Sequence, residues 1–584
     1  MRRLLVLLLL FLAGPLHAET PPLDWQKWQP ALFERAAREE RYILLHMAAV
    51  WCHWCHVMEG TTYRDAAVQK KIADKFIAVR VDQDADPALS YRYENWGWPA
   101  TIMLDKDGNE IFKRRGYIAP ELFTRLLAAV VEDPSALPEF TMGVAVDPNA
   151  VALSPERRAR IEELIVKSYD RAHGGFGDTH RFIHGDTVEW TVERGRALAR
   201  NAEPETWREM ATKTLAGARR LIDPVWGGMY QYSDRLDWSG PHYEKLLNIQ
   251  RDAIRTYVLA GDVAAAREVA RWLMAFMRSP EGAFYTSQDA DAGKDLPGDK
   301  FYARADAERR AGPQPPIDRS FYARENGWAI ASLAALYDIT GEQPMLDAAR
   351  RAFDWVMANR RAPNGGFGHT RAADDDTHLG DTLAMAEAAM ALYRSTAERR
   401  YLALTVDLAH VIGRDHRDPS GGYHVRQPDS GARGVLAKPV RQLDENVATV
   451  RLLNLLARNT GSSEHRDAAE HGMRFLIALA EDDLVVPGAL LADRELSREP
   501  AHVTVVGAKD DPKASAIYDA ARTYPTRYLR IEWLDRREGP LANPEVDYPD
   551  MSEAAAYACA NGACSVPVFE PADVHRIVAK IDDR

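Results

Sequence analysis

Two cysteines separated by two residues, Cys52 and Cys55, stand in the string Val50-Trp51-Cys52-His53-Trp54-Cys55-His56. The apolar run Tyr42-Ile43-Leu44-Leu45-His46-Met47 precedes them and reads as a buried strand. Asp65, Val68, Ile72 and Phe76 follow at helical spacing. A thiol at the start of a helix lies in the positive end of the helix dipole, which favours the thiolate. Cys52, nearer the exposed end, is expected to attack, and Cys55 to resolve the mixed disulfide. His53 lies between them, and its imidazolium would stabilise the Cys52 thiolate and make the disulfide more oxidising. Trp98-Pro99, just before another apolar run, fits a cis-proline loop set opposite the thiols. Such a proline has no N–H and leaves the neighbouring backbone free to pair with a substrate.

Two other chemistries use the same residues. Cys52-x-x-Cys55-His56 matches a c-type haem attachment site, and Cys52, Cys55 and nearby histidines form a partial zinc set. Thiol–disulfide exchange is the one that also accounts for the preceding strand and for Trp98-Pro99. No metal or cofactor is therefore expected. The other two cysteines, Cys559 and Cys564, bracket Asn561-Gly562, a turn signal. A local structural disulfide is the plain reading. A relay with Cys52 is the sharper one, and it requires the two pairs to come within about 10 Å.

The elements that position this chemistry can be read along the chain. Residues 1–18 carry Arg2-Arg3, an apolar run from Leu4 and Ala18 at the expected cut, the pattern of a signal peptide. A mature protein beginning near Glu19 in an oxidising compartment, a bacterial periplasm or the exterior, is expected. The apolar run is too short for a comfortable membrane span, so no stable membrane insertion is expected. With a net charge of -12, nucleic acid is not an expected partner. Residues 19–140 read as one α/β domain: a helix over Trp25 to Glu39, strands at Tyr42, at Ile77 to Val81 and at Thr101 to Leu104, a turn at Asp107-Gly108, and a closing helix from Pro120. Residues 141–154 read as a linker.

From 155 to 482 the pattern is helix after helix, about eleven of them. Gly174-Gly175-Phe176, Gly227-Gly228-Met229, Gly282-Ala283-Phe284, Gly365-Gly366-Phe367 and Gly421-Gly422-Tyr423 recur, mostly at steps of about 55 residues. Gly261, Gly341 and Gly461 stand where C-cap glycines end helices. A repeated helical hairpin buries its apolar face only against its neighbours, so closure of six hairpins into an all-α (α/α)6 toroid is expected, with an open solenoid as the alternative. Residues 483–584 read as a small C-terminal α/β appendage.

Cys52-His53-Trp54-Cys55-His56-Val57-Met58-Glu59, Trp96-Gly97-Trp98-Pro99, His242-Tyr243-Glu244-Lys245-Leu246-Leu247, Asp289-Ala290-Asp291, Lys300-Phe301-Tyr302 and Tyr557-Ala558-Cys559 together resemble the spermatogenesis-associated protein 20 family. The resemblance covers nearly all of the mature chain. It implies a thioredoxin-like domain followed by a six-hairpin toroid similar to sugar epimerases and glycosidases. Val50-Trp51 stand where that family usually has Ser-Thr, and Asn248-Ile249 where its pattern continues Tyr-Asp. In toroids of this kind the loops between hairpins line a funnel. The candidates there are His242 and Glu244, Asp234 and Asp237, Asp289 and Asp291, and Asp381. Paired acids with a histidine suit glycosidic hydrolysis or proton abstraction on a sugar. The expected function is thus an exported thiol–disulfide oxidoreductase acting on a protein or small-molecule thiol or disulfide. A carbohydrate-active or carbohydrate-binding toroid with an accessory redox domain is the alternative.

Overall fold

The computed structural model describes residues 23–138, 146–197, 204–372, 377–481, 484–560 and 563–582. The expected signal peptide and the Asn561-Gly562 turn lie outside the described residues.

The first domain is built on four strands: β1 (Tyr42–Ala48), β2 (Phe76–Asp82), β3 (Ala100–Leu104) and β4 (Glu110–Arg115), in the order β2-β1-β3-β4. β1 runs parallel to β2 and antiparallel to β3, and β3 is antiparallel to β4. Ile43, Leu44, Leu45 and Met47 are all buried, as a central strand covered on both faces requires. The first helix, α1, covers only Ala31–Glu39. The residues before Pro30 are extended instead of helical, because Gln26 pairs with β2: its N–H donates to Ala78 O (2.8 Å), and its carbonyl accepts from Arg80 N (3.2 Å). The next helix, α2 (His53–Gly60), starts at the cysteine pair. Asp65 caps the helix after it, accepting from Ala67 N (2.9 Å) and Val68 N (3.0 Å). This is a thioredoxin-like arrangement.

The helical region is an (α/α)6 toroid. Six inner helices, Gly185–Ala197, Leu247–Ala260, Ala323–Thr340, Leu379–Thr396, Leu443–Thr460 and Pro487–Ser497, each pack on the next. The last also packs on the first, which closes the ring, rules out an open solenoid and carries the toroid past the expected boundary at 482. Six outer helices alternate with them in sequence, beginning with Pro155–Ser168. The Gly-Gly-aromatic segments lead from an outer to an inner helix. In each, the aromatic or Met bridges back to the end of the preceding helix, as in Tyr169↔Phe176 and Arg417↔Tyr423. The short inner-to-outer turns use Gly261, Gly341 and Gly461 in the left-handed region, with φ of 83°, 69° and 70°.

The C-terminal unit repeats the strand plan of the first domain. Its strands are Ala501–Val506, Leu529–Leu534, Ala555–Ala560 and Ala563–Cys564, ordered second, first, third, fourth. The first pairing is parallel and the other two are antiparallel, with helix Pro512–Arg522 as the crossover and Pro571–Asp582 closing the unit. Where the first domain has its Cys pair, this one has Ala508-Lys509-Asp510-Asp511.

The two α/β units sit on opposite mouths of the toroid. The first meets the starts of inner helices and the long loops before them: Arg324 Nη1 donates to Tyr91 Oη (2.8 Å), and His369 Nε2 lies 2.6 Å from Asp84 O. The second meets the ends of inner helices: Arg522 Nη1 donates to Tyr337 O (2.7 Å), and Lys509 Nζ to Ala397 O (2.8 Å). Inner helix Ala323–Thr340 has 18 residues. The mouths are therefore about 27 Å apart at 1.5 Å of rise per residue. No helix among the described residues is long and apolar enough to cross a membrane.

Candidate functional site

Cys52 and Cys55 are joined in a disulfide. Cys52 is the N-cap of α2, and its Sγ accepts from Cys55 N at 3.1 Å. The chain leaves β1 at Ala48, turns through Ala49-Val50-Trp51, and presents both sulfurs at the first turn of α2, where unpaired amide N–H groups converge. The Trp98–Pro99 peptide bond is cis. Because Met47 pairs with Ala100, Pro99 falls beside the end of β1, next to the turn that carries the disulfide. Trp51 Nε1 donates to Asp84 (2.9 Å). Burial pushes Asp84 up to about 8, with the Glu325 and Asp82 carboxylates adding to it.

The histidines flanking Cys55 reach across to the toroid. His53 Nδ1 lies 2.5 Å from Asp291 Oδ2, and His56 Nδ1 lies 3.5 Å from Asp289 Oδ2. The hydrogen bond to Asp291 raises the pKa of His53 above its ordinary value. Burial opposes the Asp291 carboxylate, yet the bonds from His53 and from Gly298 N (2.8 Å) hold it below the usual range. The His53 contribution is complete below its ordinary 6.5 and is lost as pH rises through the raised value. The Asp291 contribution is complete above its ordinary 3.8 and is lost as pH falls through the lowered value. The contact is therefore strongest between those limits. Asp291→Asn is expected to speed amide hydrogen exchange in residues 53–60 by about two- to fivefold at pH 6, the size of a half-exposed pair. At a pH well above the raised value of His53 the variant and the wild type are expected to match. An equal gap at both pH values would contradict the assignment.

The acids and histidine proposed for the toroid funnel are not in it. None of His242, Glu244, Asp289, Asp291, Asp234, Asp237 and Asp381 lines the toroid cavity. The loops that carry Asp289 and Asp291 fold over the mouth onto α2 instead. His242 stacks on Tyr232 at 4.1 Å, with Glu244 3.9 Å away. Burial pushes Glu244 up to about 7 and Asp289 up to about 6. Asp381 accepts from Arg324 N (2.8 Å) and binds His369 Nδ1 (2.9 Å), so it helps to seat the first domain. Asp237 caps a turn through Ser239. Asp234 closes the same turn through its backbone.

Behind this mouth lies a fully buried cluster. Asp223 takes Lys245 Nζ at 2.8 Å and Arg309 Nη1 at 2.8 Å, and all three side chains are inaccessible. Tyr230, Trp272 and Tyr302 surround the Lys245 ammonium. The cluster pins the short strand Lys245–Leu246, and Leu246 shares a buried cluster with Cys52 and Cys55.

The toroid interior holds a cavity of about 1010 Å³. Arg251, Arg324, Glu325 and Glu445 line it from near the starts of inner helices. Sequence reasoning missed these. Their signal is a charged residue near the start of an otherwise apolar helix. The Cys559–Cys564 disulfide clips two directly opposed strand residues at the far mouth. The separation of the mouths puts it out of reach of Cys52, so direct exchange between the two pairs does not occur in this arrangement.

Residues 15–132 match a family model named Thioredox_DsbH and described as a protein of unknown function, DUF255. Spermatogenesis-associated protein 20 of Homo sapiens is 21% identical over 95% of this chain and 90% of its own length. Alignments to other curated relatives span 39% to 42% of those proteins' lengths. Thiol:disulfide interchange protein DsbD of Ralstonia nicotianae is 38% identical over 73 residues, 12% of each chain. Among solved structures, D-mannose isomerase is similar over 62% of this chain and 99% of its own, with 11% identity and a TM-score of 0.45.

Proposed function

We propose that the protein is a thiol–disulfide oxidoreductase working in an oxidising compartment outside the cytoplasm. One observation carries the reading: the Cys52–Cys55 disulfide caps the helix that follows the central strand of a thioredoxin-like domain. The local similarity to a thiol:disulfide interchange protein supports it. In this reading a substrate thiolate attacks Cys52, and Cys55 leaves as a thiolate stabilised at the helix start. His53 supplies or accepts the nearby proton, and Pro99 shapes the groove for the substrate. In the reverse direction Cys52 is the nucleophile and Cys55 resolves.

Incubation with reduced glutathione followed by thiol trapping tests this. Cys52 and Cys55 are expected to become alkylated together, and Cys559 and Cys564 to stay paired. A Cys52–Cys55 bond that resists a large excess of glutathione and dithiothreitol in the folded protein would overturn the proposal. The compartment has its own test. N-terminal sequencing of protein produced in a bacterial host with intact export is expected to begin at Glu19. A chain still carrying Met1 and found with cytoplasmic markers would refute that part alone.

A further inference from the structure

What covers the redox pair also walls the toroid cavity. Cys52 is 4% exposed and Cys55 is fully buried. Leu246 belongs to the same buried cluster as both, with Trp98 and Ile249 at its edge. Those three residues are also part of the cavity wall. On the outer side, His53 and His56 are held against Asp291 and Asp289 of the toroid loops. The cluster that holds the sulfurs therefore also forms part of the cavity wall.

The cavity is built for a polar occupant. Arg251 and Arg324 both lie over the Trp328 ring, at 4.7 and 5.0 Å. Arg324 pairs with Glu325 Oε1. Glu325 is 3% exposed, yet its Oε2 has no hydrogen-bond partner among the described residues, and neither has Ser287 Oγ, at 1% exposure. A buried carboxylate oxygen without a donor is costly unless a ligand or water supplies one. Both atoms belong to cavity-lining residues.

We propose that the toroid cavity binds a low-molecular-weight polar thiol bearing hydroxyl or ammonium donors and delivers it to the Cys52–Cys55 disulfide, so that the two large domains form one composite site. This rests on the redox reading of the pair. The step balances without a further reagent. One thiolate RS⁻ attacks Cys52 Sγ, the Cys52–Cys55 bond breaks, and Cys55 takes up a proton. A second RS⁻ attacks the bound RS sulfur, Cys52 leaves and is protonated, and R–S–S–R departs. Two electrons pass from two thiols to the protein disulfide.

Single-turnover reduction of the oxidised full-length protein tests this, followed by thiol trapping and tryptophan fluorescence. The probes are cysteine, glutathione and 1-thioglucose, against reduced unfolded ribonuclease at equal thiol concentration. At least one small thiol is expected to saturate and to outpace the protein thiols by about tenfold or more. Whether it is the amino-acid-derived or the sugar-derived thiol identifies the source of the donors. Ala335→Trp, which fills the cavity away from the sulfurs, is expected to slow that thiol by about tenfold while leaving the reduction potential unchanged. Protein thiols that react as fast, or small thiols with no saturation, would overturn the composite site and leave the redox reading intact. If no thiol reduces the pair, the redox reading falls and this inference falls with it. The wild-type saturation curve decides the matter even if the Trp variant does not fold.

Discussion

Cys52→Ser is expected to abolish thiol–disulfide exchange, with a loss of about a thousandfold or more, because a serine hydroxyl at neutral pH neither attacks a disulfide nor forms one. The fold should survive. Cys52 contributes an N-cap acceptor to α2, and a serine Oγ fills that role at least as well. The companion variant separates roles. In Cys55→Ala the mixed disulfide on Cys52 has no resolving thiol, so a glutathione adduct should accumulate and be visible by mass spectrometry. If Cys52→Ser kept exchange activity, or if the adduct formed on Cys559 or Cys564, the assignment of the first domain as the redox centre would fail.

Asp223→Ala is expected to destabilise the toroid by about 3–5 kcal/mol, the cost of leaving buried cations without their counter-charge. Lys245 and Arg309 would both lose their shared carboxylate, and neither side chain reaches solvent. Burial already lowers Lys245 to about 8, although Asp223 works against that shift. Without Asp223 it falls further. A lysine whose folded pKa lies below its ordinary 10.5 destabilises the fold at every pH where the unfolded chain still binds that proton. The gap between wild type and variant should therefore widen from pH 9 to pH 6 in urea unfolding. The same change loosens the strand that holds Leu246 over the disulfide, so reduction of Cys52–Cys55 by a bulky thiol should accelerate. Unchanged stability at pH 6 would contradict the account of the cluster.

Features set by neighbouring residues were legible in the sequence. The cysteine spacing, the apolar run of β1 and the Gly-Gly-aromatic turns are all local signals, and the repeated hairpin pattern pointed to a toroid, with an open solenoid as the alternative. Features set by distant pairing were not. The stretch around Gln26 looks helical, but its partner is β2, far along the chain, and Pro30 delays the helix. Asp289 and Asp291 look like funnel acids in the sequence, because nothing there links them to His56 and His53, more than two hundred residues earlier. His46 looked like one more member of an apolar strand. It is fully buried and lies 3.2 Å from Glu59, which Arg80 also binds. The C-terminal unit shares its strand order with the first domain but lacks the cysteine motif that would announce it.

Whether the Cys52–Cys55 pair is a redox centre is decided by its reduction potential, measured on purified protein by equilibration in glutathione buffers with thiol trapping. One two-electron transition is expected between about −270 and −120 mV, the span from thioredoxin to the strong periplasmic oxidants, lost in Cys52→Ser and unaffected by the state of Cys559–Cys564. A potential below about −300 mV, typical of inert structural disulfides, or no transition at all, would contradict it.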